Sequence, residues 1–191
     1  MLRVESLTKS FDGFLAVNGA RLNVGTGEVV AELSELLRYS LRSGAGLVTL
    51  KDELDIIRSY MTIQRYRFVG KIRWAEDIDE NLLDTQIPGM ILQPLVENAV
   101  KHGLEPIERT GTVTLKVERV GSGIHVSIRD DGVGIGDAAL YLLDSEAGSS
   151  DSLGLRNVKR RLIIHYGVDV LTIRRPQSGG TECLISIPVD D

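Results

Sequence analysis

Cysteine is nearly absent from this 191-residue chain: Cys183 stands alone. One thiol cannot close an internal disulfide, and that usage fits a reducing cytoplasm. Cys183 is in phase with Ile185, Ile187 and Val189, the pattern of a small buried hydrophobe. Aromatic residues make up only 5% of the chain. The formal net charge is −5, without the basic excess that a nucleic-acid binder normally carries. No apolar run approaches the roughly 20 residues needed to cross a bilayer. The first residues lack the basic-then-apolar layout of a signal peptide. Histidines number three, at 102, 125 and 165, and no grouping with Cys183 or carboxylates has zinc-site spacing. Ser, His and Asp nowhere stand in a nucleophile motif, and neither internal repeats nor low-complexity tracts occur. These absences predict a soluble, cytoplasmic protein with one main core.

The chain's organising stretch is 88–135. Ile91, Leu92, Leu95, Val96, Ala99 and Val100 recur at spacings of three and four, predicting a helix with one apolar face, with Pro88 at its start. Asn98, Lys101 and His102 share another side of that helix. Downstream, Ile124, Val126 and Ile128 alternate with His125, Ser127 and Arg129, as in a strand with one buried face. Counting in twos aims Asp130 inward and Asp131 outward. An inward carboxylate needs a partner to offset desolvation, and an adenine amino group is a suitable donor. Gly132 and Gly134 would let backbone approach a flat ring.

The sequences LQPLVENAVKHG and DDGVGI resemble the N-box and first glycine box of the GHKL ATP-binding superfamily, closest in wording to LytS-like sensor histidine kinases. The resemblance covers roughly residues 31–189. It implies an α/β two-layer sandwich with a mixed, largely antiparallel sheet, preceded by a helical segment. It also implies roles. Asp130 would take the adenine amino group, with Gly132 and Gly134 shaping the slot and the Thr181 hydroxyl closing it. Asn98 would coordinate Mg²⁺ between phosphates, an ion that takes few protein ligands. Lys101 could meet a phosphate oxygen, and His102 would orient or hydrogen-bond. The helix opened by Gly154 and Leu155 would offer its free N–H groups to phosphate. Two departures stand out: Ser152 occupies a second-glycine-box position, and Asp131 one often held by asparagine.

Taken in order, residues 1–29 read as a hairpin turning at Asp12–Gly13, and resemble the opening of ABC-transporter nucleotide-binding domains. That family's phosphate loop, G-x-x-x-x-G-K-[ST], occurs nowhere in the chain. A structural hairpin is therefore expected. Leu33, Leu37 and Leu41, then Leu50, Leu54, Ile57 and Met61, give helical seams; Thr49 with Asp52 marks a reciprocal cap. These seams fit either a helical hairpin on its own domain or part of a dimerisation region. Residues 71–79 read as a strand, Thr112–Glu118 and Gly123–Asp130 as an antiparallel pair, and 168–175 with 181–189 as the closing strands. A Gly/Ser-rich stretch within 136–153 suggests a lid. Arg156, Lys159, Arg160 and Arg161 are either a solvated face or a phosphate neighbourhood.

The division predicted is 1–29, 30–68 and 69–191. The expected function is the ATP-binding catalytic domain of a two-component sensor histidine kinase, using Mg·ATP, with a homodimer and a response-regulator receiver domain as partners. Glu97 is a candidate general base beside Asn98, although a helical step turns it away. Hydrolytic members of the superfamily carry a glutamate where Pro94 stands, so efficient ATP hydrolysis is not expected. Members of the kinase family carry a phosphoacceptor histidine upstream of LLRYSL, and no histidine precedes His102 here. The alternatives are a non-catalytic ATP-binding or interaction module, or a chimeric remnant.

Overall fold

The computed structural model describes residues 2–11, 14–24, 46–136 and 153–188, with side chains described for 46–136 and 154–188. Strands β1 (Leu2–Phe11) and β2 (Phe14–Val24) form the expected antiparallel hairpin, a two-stranded sheet of their own with several register shifts. The turn at Asp12–Gly13, the Leu33–Leu41 seam, the 137–152 stretch and Ser152 lie outside the described residues.

From residue 46 the order is β3 (Leu47–Thr49), α1 (Leu50–Arg67), β4 (Ile72–Ile78), a 3-10 turn at Glu80–Leu82, and β5 (Gln86–Pro88). Then come α2 (Gln93–Asn98), β6 (Gly111–Val120), β7 (Gly123–Asp130), α3 (Leu153–Tyr166), β8 (Leu171–Arg174) and β9 (Thr181–Ile187). Five strands form one sheet in the order β4-β6-β7-β9-β8. The β4–β6 pair is parallel and the other three are antiparallel, so the sheet is mixed as expected.

The period-two patterning decides which face is covered. Val113, Leu115, Val117, Ile124, Val126, Ile128, Cys183, Ile185 and Ile187 are all buried. Their alternates (Thr112, Lys116, His125, Ser127, Glu182) form the more accessible face. The helices supply the second layer: Leu54 and Ile57 from α1, Leu95 and Val96 from α2, and Val158 and Leu162 from α3 belong to the same core.

Helix α1 begins as its sequence dictates. Thr49 Oγ1 accepts from the Asp52 amide at 3.1 Å, and Asp52 Oδ2 accepts from the Thr49 amide at 3.0 Å. Leu50 and Lys51 donate their amides to Thr85 and Leu83. Its Leu50, Leu54, Ile57 and Met61 stripe is at most 2% exposed. That stripe is filled by the chain's own core.

Pro88 does not start a helix. It ends β5, opposite Leu47 in the two-stranded β3–β5 sheet, where a residue without an N–H is tolerated. The helix begins at Gln93, with Pro94 in its first turn. Beyond Asn98 it widens into a π-type turn over Ala99–Leu104. That insertion breaks the even three-and-four spacing, although every residue of the predicted apolar stripe is buried.

Candidate functional site

Asp130 ends β7 on the buried parity and is 3% exposed. Its Oδ1 accepts the Gly132 amide at 2.9 Å. Thr181, its partner across the β7–β9 ladder, contributes both a backbone N–H and its hydroxyl. Burial pushes the Asp130 carboxyl above the ordinary aspartate value; those hydrogen bonds oppose the shift, and the neighbouring Asp131 charge adds to it.

Glycines wall this carboxylate from three directions. A Cβ on Gly103, in the π turn, would stand 2.7 Å from Asp130 Cγ. One on Gly132 would meet the Gly103 carbonyl oxygen at 2.0 Å, and one on Gly180 the Asp130 carbonyl oxygen at 1.9 Å. Gly180 also has a positive φ of 77°. A side chain at Gly132 or Gly180 would collide with backbone, and one at Gly103 with the Asp130 carboxylate itself, so glycine is a steric requirement here. The loop is further tied by Val133, whose amide donates to the Gly103 carbonyl.

Asp131 turns outward as its parity requires. Its Oδ1 accepts the Thr112 amide at 2.8 Å, and Oδ2 lies 3.3 Å from the Arg109 guanidinium. Arg109 also donates to the Asp131 carbonyl, and Arg175 to the carbonyl of Ile135. Two arginines thus hold the loop after β7 from opposite sides.

Asn98 is half-buried, and its Nδ2 donates to the Pro94 carbonyl at 2.7 Å. A carbonyl can only accept, so this bond fixes the amide's orientation and leaves Oδ1 aimed elsewhere. Among the described residues Oδ1 has no hydrogen-bond partner. Gly154, in the first turn of α3, lies against this amide: a Cβ there would sit 3.7 Å from Asn98 Nδ2. Leu155 is buried in the core, where it anchors that first turn. Lys101 and His102 are exposed on the same side of the wider turn.

Glu97 precedes Asn98 and is engaged by residues of α1 and α2. Its carboxylate accepts from Gln93 Nε2 at 2.8 Å, and its charge acts on the Tyr60 hydroxyl of α1. Burial pushes Glu97 above the ordinary glutamate value, against the Gln93 hydrogen bond and the Lys101 charge. It is directed to the α1 side rather than towards Asp130.

The basic cluster on α3 also has structural work. Lys159 pairs with Asp169 at 3.0 Å, and the Arg161 guanidinium donates to the Gly89 carbonyl. An open depression lined by Gly123, His125, Val168 and Pro188 lies at the other end of β7, about 23 Å of strand from Asp130, and does not join the site.

Sequence reading named Asp130, Asn98 and Thr181 but passed over Gly103, Gly180, Arg109 and Arg175. The doublet Gly179–Gly180 before Thr181 was the available signal for one of these; the two arginines act through side-chain reach that no local pattern encodes.

Known proteins resemble this chain over most of its length. The family model for histidine kinase-, DNA gyrase B-, and HSP90-like ATPases matches residues 84–191, and a histidine kinase model matches residues 20–72. Sensor histidine kinase YesM of Bacillus subtilis is 33% identical over 162 residues, covering 84% of this chain and 27% of its own length. Sensor histidine kinase YpdA of Escherichia coli is 34% identical over 181 residues, covering 93% and 32% respectively. The chain therefore spans about a third or less of these curated relatives. Among solved structures, Acinetobacter baumannii histidine kinase AdeS superposes with a TM-score of 0.55 at 18% identity, over 86% of this chain and 77% of that one. The catalytic domain of histidine kinase ThkA gives 0.55 at 17%, over 75% and 96%. Both likenesses establish the α/β fold. With more than half of its length matched by that first model, the chain belongs to the histidine kinase-, DNA gyrase B-, and HSP90-like ATPase family.

Proposed function

We propose that this chain carries the Mg·ATP-binding catalytic unit of a sensor histidine kinase, within residues 69–191, with 30–68 as part of its dimerisation region and 1–29 as an appended hairpin. One observation carries the reading: a buried carboxylate, Asp130, walled by Gly103, Gly132 and Gly180, with Thr181 at its edge. The donors from Gly132 and Thr181 offset only part of its desolvation, since burial still raises its carboxyl. An adenine amino group donating to Asp130 would offset more of it, and the glycine walls would admit a flat ring.

Across the same loop, Asn98 is prepared for a cation. Its Nδ2 is committed to Pro94, so Oδ1 would face the metal as a neutral oxygen ligand. Among the described residues no three His, Cys, Asp or Glu side chains gather to hold a metal. This suits Mg²⁺, which would rely on Asn98, water and the phosphates themselves. Lys101 and the first turn of α3 at Gly154 and Leu155 would balance phosphate charge. Bound Mg·ATP supplies the γ-phosphoryl group; the residues here bind, orient and neutralise. Pro94 stands where the hydrolytic members of the superfamily carry a glutamate. The site therefore favours transfer over hydrolysis.

The acceptor would be a histidine supplied by another segment or chain, and a response-regulator aspartate would follow it. A second reading is a nucleotide-binding module without transfer. Calorimetric titration with Mg·ATP tests the binding, using the parent chain and Asp130→Asn. Saturable binding lost in the variant is expected; absence of binding by the parent overturns the reading. Adding a separate phosphoacceptor domain and γ-labelled ATP then separates kinase from module, because only the kinase transfers label in trans.

A further inference from the structure

Glu53 lies in the first turn of α1 and is 0% exposed. It reaches 37–39 residues along the chain to the turn before α2. There it accepts the backbone N–H groups of Met90 at 2.6 Å, Ile91 at 3.1 Å and Leu92 at 2.8 Å. These are orphan donors at a helix start, and α2 has no side-chain cap of its own. The turn is also conformationally demanding: Met90, a non-glycine residue, has φ of 62°. Met90 packs on Ile56 and Ile63 of α1 as well. From the opposite side, the Arg161 guanidinium of α3 donates to the Gly89 carbonyl.

The links run on to the site. The turn capped by Glu53 leads directly into Gln93–Pro94, and the Pro94 carbonyl holds the Asn98 amide that orients Oδ1. Asn98 is thus reached from α1 through one buried carboxylate, three N–H donors and a single helical turn. We propose that Glu53 is a positioning residue for Asn98, so that the packing of α1 sets the Mg²⁺-dependent part of nucleotide affinity. This rests on the nucleotide reading given above. A cap that merely stabilised the fold would affect adenine and magnesium contributions alike. A positioning role separates them, because Asp130 is carried by β7 and bonded by Thr181 of β9, strands whose pairing does not pass through the turn that Glu53 caps.

The test uses the whole chain, with ATP titrated in excess Mg²⁺ and in EDTA, for the parent and Glu53→Gln. In the parent, Mg²⁺ tightens binding. In E53Q that enhancement falls about tenfold, the size of one weakened charge-assisted contact, while EDTA affinity stays within about twofold. A folded E53Q with the parent's Mg²⁺ enhancement overturns the inference. Should E53Q fail to fold, Glu53→Asp keeps the charge but is one methylene short, and the same split is expected from it. Hydrogen exchange without nucleotide adds a separate readout. Amides at 90–98 should exchange faster in E53Q while β6 and β7 keep their protection; unchanged exchange at 90–98 also overturns the inference. No binding by the parent in either buffer refutes the nucleotide reading itself, and with it the role of Glu53 there, leaving exchange to report on the cap alone.

Discussion

Replacing Thr181 with valine removes one hydroxyl from the Asp130 carboxylate and almost nothing else. The side chains are isosteric, valine suits a strand, and the backbone N–H of residue 181 still donates to the Asp130 carboxylate. A hydrogen bond to a charged acceptor contributes roughly 1.5–3 kcal/mol, and the added methyl recovers a few tenths by burial. The expected loss at neutral pH is therefore about 1.5–2.5 kcal/mol, and it should depend on pH. Asp130 already lies above the ordinary aspartate value because burial outweighs its donors. Without the hydroxyl it rises further. Between the unfolded and folded pKa values the native state holds more proton than the unfolded chain, so stability falls as pH rises through that window. Thr181→Val should steepen this fall. Below about pH 3.9 Asp130 is protonated in both states, and the penalty should shrink to about 1 kcal/mol or less. Urea unfolding at pH 4 and pH 7.5 reads the difference, provided that the denaturant slope is unchanged. The same variant in an Asp130→Asn background should show little penalty, since no charge remains to be stabilised. A penalty equal at both pH values and undiminished in that background would refute the account of Asp130 as a charged group held by Thr181.

Two further expectations follow from groups outside the site. The Tyr166 hydroxyl is buried, has no hydrogen-bond partner among the described residues, and is pushed up to about 12 by burial; Tyr166→Phe should leave stability unchanged or raise it by about 1 kcal/mol in thermal unfolding. Arg58 of α1 donates to both Glu76 oxygens on β4, holding that carboxyl below the ordinary glutamate value against some desolvation. The pair is partly solvated, so Glu76→Gln should cost only about 0.5–1 kcal/mol. That stabilisation is present above about pH 4.3 and lost as pH falls through the lowered value, so acid titration of both proteins should bring their stabilities together.

What could be read from the sequence was set by how far each residue's partner lies along the chain. The Thr49–Asp52 cap spans three residues and is formed as its spelling implies. The burial of Asp130 followed from counting in twos along β7, because a strand's parity is rigid. Cys183 followed in the same way, and burial raises its thiol to about 12. The Leu50–Met61 stripe was legible as apolar, yet periodicity cannot say what covers it; α1 spends that face on the sheet and α2. Pro88 misled because a proline before an apolar run fits both a helix start and the end of an edge strand. Only its pairing with Leu47, 41 positions away, decides between them.

The least legible residues are those that make the site work as one piece. Asp130 and Glu53 are both carboxylates withdrawn from water, and each takes backbone N–H groups from a distant segment, Thr181 for the one and Met90–Leu92 for the other. In the sequence, Asp130 is marked by the glycines that follow it, since its close neighbours must lack side chains. Glu53 sits in an ordinary amphipathic helix and carries no such mark; its donors are the free amides of a turn that exists only once α1 and α3 have closed on it. The π turn has the same origin. Its extra residue places Gly103 against the Asp130 carboxylate, a contact that neither the N-box helix nor β7 specifies alone. Local patterning therefore identifies which groups can do chemistry. Their mutual placement comes from contacts closed in the tertiary structure, and that is why Glu53, remote in sequence and silent in pattern, is the residue through which α1 acts on Asn98.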